Sequence, residues 1–192
     1  MVQSENTNPE IPLCHVQNGY LHFPYPPDRT DGRTNNGGID LIQEPHRIDE
    51  ITELKALPSI RAILLKLRGP ESEFITLGFE AGAQEDAYYG YLEFAFRDPR
   101  LADEENYRNL LRRFSDWTLQ RHPRLAPCLP SCLHAEIQGF FYREKWHGDR
   151  MTLSFRAVNR DACDDLLHLI ADFLMNEISP QLKLFRATQA TS

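Results

Sequence analysis

A chain of 192 residues, 41% hydrophobic and 26% charged, fits one globular domain that needs neither disulfide nor metal to fold. Its net charge of −7 argues against a nucleic-acid binder of the basic-patch kind, because neutralising phosphates takes clustered Lys and Arg. The longest apolar runs, such as residues 62–65, fall far short of the roughly 20 residues of a membrane-spanning helix.

Residues 1–12 are polar and lack an apolar stretch, which predicts a disordered tail and no secretory signal. With Cys14, Cys128, Cys132 and Cys163 scattered along the chain, reduced thiols in a cytoplasmic protein are expected. Residues 13–45 read as an irregular extension. Asn18-Gly19, between Cys14/Val16 and Leu21/Phe23, is a hairpin signal with short arms. The prolines at 24, 26 and 27 then end the pattern. Residues 28–38 carry Asp, Arg, Thr, Asn and Gly with no apolar side chain, as a mobile linker does. An anion cradle there would lack the spacing and the Lys of a phosphate loop.

From residue 46 to 186 the pattern predicts a single α+β domain. Ile48, Ile51, Leu54 and Leu57 recur at three after Pro45, which suggests a short helix ended by Pro58. Residues 60–67 alternate Ile63, Leu65 and Leu67 and read as a strand. Residues 73–80 and 88–97 follow as strands, and residues 104–120 as a helix capped by Asp103. Three prolines and two cysteines make residues 123–133 a loop. Residues 134–143 and 151–158 read as strands, and residues 161–178 as a helix broken at Ser179-Pro180. Leu184 and Phe185 are expected to dock briefly before residues 187–192 fray. The sum is an antiparallel sheet of about five strands, ordered α-βββ-α-ββ-α, with the long helices on one face. Leu92-Glu93-Phe94 and Leu153-Ser154-Phe155 fall at matching places in two ββα units.

The cluster Cys128, Cys132 and His134 invites a metal, and Cys14-His15 could complete a set of four ligands. A three-residue gap holding a proline is no zinc knuckle, and Cys14 lies over a hundred residues away, so no metal or other cofactor is expected. Cys132 and His134 would share a strand face, with Glu136 on the same side, yet nothing supplies an oxyanion hole. Catalysis by Cys132, His134 and Glu136, or ligand binding near the 28–38 loop, is therefore the second reading. The first rests on aromatic residues. Tyr89 and Tyr91 point away from the Leu92/Phe94/Phe96 face, as Phe140 and Tyr142 do from Ile137, with Trp146 near the turn and Arg97 among them. Such a face has the composition of a protein contact surface. It calls for a partner protein, a second copy of the chain, or cover by residues 13–25 from within. Over about residues 47–178 the order of elements is similar to that of the type III secretion chaperones, and that resemblance implies a homodimer binding an extended client segment. The expectation is a non-catalytic protein-binding domain: an adaptor, a chaperone or a toxin-neutralising protein, with neither nucleic acid nor membrane as partner.

Overall fold

Two ββα units form the centre of the molecule. The computed structural model describes residues 10–17, 19–28, 30, 37–55 and 57–190. The first unit is β3 (Phe74–Gln84), β4 (Ala87–Phe96) and α2 (Glu104–Arg121), and the second is β5 (Leu133–Tyr142), β6 (Trp146–Ala157) and α4 (Arg160–Asp172). Ahead of them lie β1 (Leu13–His15), β2 (Leu21–Phe23) and α1 (Ile60–Arg68); the short α3 (Leu129–Cys132) precedes β5, and α5 (Ser179–Ala190) closes the chain. Within each unit the strands are antiparallel, and the units join through their second strands, β4 against β6. The register sets Leu92 opposite Leu153 and Phe94 opposite Met151. The two matching sequence segments thus meet across an approximate two-fold axis normal to the sheet.

The sheet has six strands and is mixed, not antiparallel. β1 and β2 both run parallel to the outer edge of β5, on Ala135–Ile137 and Phe140–Tyr142 respectively. The hairpin expected at Asn18-Gly19 therefore does not form, and Asn18 itself lies outside the described residues. Arms of three residues make a poor ladder with each other, whereas β5 presents ten residues to pair with.

Residues 60–67 are helical, which corrects the strand expected there. Ile60, Ile63, Leu64 and Leu67 follow i, i+3, i+4, i+7 and are all buried, while Leu65 is only half-buried. The short helix expected before Pro58 is two 3₁₀ turns, Pro45–Glu50 and Thr52–Lys55. A recurrence of strictly three is the 3₁₀ period. With the short α3 set aside, the order from α1 to α4 is accordingly α-ββ-α-ββ-α, and the chaperone resemblance, which rested on an order with three consecutive strands, loses its basis. The last helix does not stop at Pro180. A π-type turn over Phe173–Ile178 widens the helix just before the proline, and Ser179 Oγ donates to the Leu174 carbonyl at 2.8 Å. Residues 187–190, expected to fray, continue α5, and 191–192 lie outside the described residues, as do residues 1–9 of the expected tail.

The main core lies between the sheet and α1, α2 and α4, around Phe74, Leu92, Phe94, Leu153, Phe155, Phe114 and Phe173. Tyr107, fully buried on α2, donates to the Asp149 carbonyl at 2.8 Å and receives the Phe96 N–H at 3.4 Å, so one helix grips both units. A second, smaller core sits on the opposite sheet face. Among the described residues no helix is long and apolar enough to cross a membrane.

Candidate functional site

The face of the sheet away from the helices is half covered. Phe23 stacks on Tyr142 at 6.1 Å, and Phe140 meets Trp146 edge-on at 5.2 Å. Together with Ile75, Leu77 and Ala95 these rings make the second core, leaving Phe140 0% and Tyr142 8% exposed and Trp146 half-buried. Asp40 fixes this cover. Wholly buried, its carboxylate accepts from Tyr142 Oη at 2.7 Å, Arg143 Nε at 2.6 Å and the backbone N–H of Ile42 at 3.0 Å. Burial, with help from Asp40, pushes the Tyr142 phenol far above its ordinary pKa. Arg97 is also engaged internally. Its guanidinium donates to the carbonyls of Phe74, Arg68 and Gly69 at 2.9, 2.7 and 2.8 Å, which satisfies the C-terminus of α1. Tyr89 and Tyr91 stay within reach of solvent. Tyr89 is 37% exposed beneath the Arg156 guanidinium, 5.6 Å from its ring centre.

Tyr91 opens onto a cavity of about 320 Å³ at the outer edge of β3. One wall is five consecutive residues of that strand, Thr76, Leu77, Gly78, Phe79 and Glu80. The other is the end of the Gly/Asn-rich segment and the first helical turns, with Gly37, Ile39, Leu41, Ile51 and Glu53; Tyr25, Leu64 and Tyr91 complete it. A β-bulge between Thr76 and Gly78 turns the strand here. Two glycines shape the walls. Gly37 has φ +83° and a Cβ there would lie 2.8 Å from the Tyr25 carbonyl, while a Cβ on Gly78 would lie 2.6 Å from Glu93 Oε2. Residues 29 and 31–36 of the expected 28–38 loop lie outside the described residues.

The cavity is acidic and aromatic. Burial pushes the Tyr91 phenol far up, and Glu93, Tyr25, Glu80 and Glu53 add to that in turn. Glu93 is balanced by an ion pair with Arg150 and accepts from Thr152 Oγ1 at 3.1 Å. Among the described residues no cation pairs with Glu53 or Glu80. Among the described residues the lining offers two carboxylates, Glu53 and Glu80, two tyrosines, Tyr25 and Tyr91, and an aliphatic floor.

Cys132, His134 and Glu136 do not assemble as one group. Cys132 closes α3, and its Sγ lies 4.0 Å from Ser131 Oγ. The pairing of β1 with β5 brings Cys14 there instead: its Sγ is 3.6 Å from His134 Nε2, which is 3.8 Å from Glu136 Oε1. Sequence reasoning picked out Cys14 but had no signal that β1 would pair parallel with β5. Cys163, on the apolar stripe of α4, is buried, and burial pushes its thiol up to about 11.

No family model matches this sequence, and neither a curated protein nor a solved structure matches it.

Proposed function

We propose that this chain is a non-catalytic protein-binding module that seats a basic side chain of its partner in the cavity beside β3. The observation that carries the reading is the joint placement of Glu53 and Glu80 with Tyr25 and Tyr91 on a cavity whose wall is an edge strand. A lysine or arginine has the matching chemistry, with an aliphatic stem for Ile39, Leu41 and Ile51 and a charged head for the carboxylates and ring faces. Among the described residues no other element hydrogen-bonds to the outer backbone groups of β3 between Ile75 and Gln84. An extended segment can add itself there as a further strand, with the cavity reading one side chain. The net charge of −7 steers a basic partner toward the molecule. An adaptor, a chaperone or a toxin-neutralising protein would each use such a site, and the partner is another protein or a second copy of this chain.

Selection from a library of random displayed peptides tests this. The expected winners carry Lys or Arg between aliphatic residues and bind at least about tenfold more weakly to Glu80→Lys and Tyr91→Ala, with affinity falling as salt rises. Peptides that ignore both substitutions, or no enrichment at all, would refute the reading. The size of the cavity supports a second reading, a small-molecule site for an amine with an apolar body. A thermal shift of several degrees with one such amine, and none with peptides, would select it.

A further inference from the structure

We propose that Cys14, His134 and Glu136 form a zinc(II) site with one open position, which clasps β1 to β5. The three donor atoms, a thiol sulfur, an imidazole nitrogen and a carboxylate oxygen, all lie within 4.8 Å of one another. Zinc bonds of about 2.3 Å to sulfur and about 2.0–2.2 Å to nitrogen and oxygen, in tetrahedral geometry, set such donors roughly 3.4–3.6 Å apart. The observed separations of 3.6 Å from Cys14 Sγ to His134 Nε2 and 3.8 Å from that nitrogen to Glu136 Oε1 need only small side-chain adjustments.

The direction of approach separates a metal site from a catalytic relay. In a relay the base shows one ring nitrogen to the nucleophile and the other to the orienting acid. Here Cys14 and Glu136 both face the same nitrogen, Nε2. Three donors converging on one point are what a shared cation requires. Charge agrees: a thiolate and a carboxylate balance a dication, and among the described residues His134 is the only basic group paired with Glu136. The donor set of soft sulfur, borderline nitrogen and hard oxygen suits zinc and not magnesium or calcium.

The backbone prepares the site. Ala135 N–H donates to the Pro12 carbonyl and Val16 N–H to the Ile137 carbonyl, both at 2.8 Å, so β1 is anchored on either side of Cys14. The register pairs Cys14 with Glu136, which puts both side chains on one sheet face. His134 and Glu136 side chains are 46% and 45% exposed, so the fourth position faces solvent and takes a water or a donor from outside. Binding releases the thiol proton and ties metal occupancy to the docking of β1.

Cobalt(II), a spectroscopic stand-in for zinc, tests the site on the full chain after chelator treatment under reducing conditions. The expected result is one equivalent bound, with a thiolate-to-cobalt charge-transfer band and tetrahedral visible bands that zinc abolishes. Cys14→Ser removes the charge-transfer band, Glu136→Gln weakens binding at least about tenfold, the lower end of what even outer-shell changes cost, and Cys132→Ser changes nothing. In parallel, zinc shields Cys14 of the natural chain from alkylation while exposed Cys128 still reacts. A charge-transfer band that is absent, or that survives Cys14→Ser, overturns the proposal. So does alkylation of Cys14 at an unchanged rate with zinc. Should Cys14→Ser fail to fold, the alkylation of the natural chain and the Glu136→Gln titration decide the matter.

Discussion

The unit β3-β4-α2 and the unit β5-β6-α4 share a plan down to their helix caps. Asp103 accepts from Asn106 N–H at 2.8 Å, and Asn159 from Ala162 N–H at 2.8 Å. Leu92 and Leu153 face each other where the units join. The outer edges differ. The β5 edge carries β1 and β2, with Asp40 and Phe23 locking the N-terminal segment over the adjoining sheet face. Among the described residues the β3 edge carries no further strand, and it borders the cavity. An open edge is a place where another chain can pair, and the exposed charges Glu80, Glu85 and Asp86 on and beside it are all acidic. Equal frameworks therefore end in one sealed edge and one available edge, and what separates them is the chain before residue 56.

The equivalence of the frameworks can be broken at the join. Leu92→Ala and Leu153→Ala each empty a buried site on the axis, 1% and 3% exposed, and each is expected to cost about 3 kcal/mol in urea unfolding. Costs that differ severalfold would mean that one unit carries the fold and the other leans on it. The sealed edge is tested by Asp40→Ala, which leaves the Arg143 guanidinium and the Tyr142 hydroxyl without their shared partner. The expected loss is about 2 kcal/mol, because Arg143 keeps some contact with water. Limited proteolysis should then cut before residue 45, while peptides from β3 and β4 stay protected. Cleavage spread evenly over the chain would show that the cover is part of the global fold.

The four central strands and the two long helices were legible because each has a local signature: alternation in β4 and β6, and Asx caps before apolar stripes in α2 and α4. The misreadings have physical causes. Residues 60–67 carry both periods, since Ile63, Leu65 and Leu67 alternate while Ile60, Ile63, Leu64 and Leu67 make a helical stripe, and only packing against the sheet decides. The fates of Phe140 and Tyr142 were half legible. Their direction away from the helices follows from strand parity, but their burial depends on Phe23 and Asp40, about a hundred residues away. Arg97 looked like a surface cation because its acceptors are carbonyls, Phe74, Arg68 and Gly69, which leave no trace in side-chain composition. The cavity was equally hidden: its walls come from six separate stretches of chain.

The caps provide a finer test of the shared plan. Asp103→Ala and Asn159→Ala each remove one side-chain acceptor from a helix N-terminus, and each should cost about 1 kcal/mol. The charge of Asp103 adds a favourable interaction with the helix dipole that neutral Asn159 lacks, so the first loss should exceed the second by a few tenths of a kcal/mol at low salt. Denaturation of both variants with and without added salt checks this: the difference should shrink as salt rises.

The smallest expected effect on stability bears most on function. Glu80 is exposed on β3 and, among the described residues, pairs with no cation, so Glu80→Lys should shift the unfolding free energy by no more than about 0.5 kcal/mol. It reverses one of the two charges on the cavity that pair with no cation among the described residues, and the proposed basic partner would meet it directly. The expected signature is an unchanged urea midpoint with peptide affinity reduced at least about tenfold, and the matching change on the sealed side, Glu136→Lys, should leave peptide affinity alone. Loss of affinity from both substitutions would mean that net charge alone attracts the partner, and the available edge would then have no privileged role. Loss from Glu80→Lys alone assigns recognition to the β3 edge, because the same reversal of charge beside the other edge of the sheet would then leave affinity unchanged.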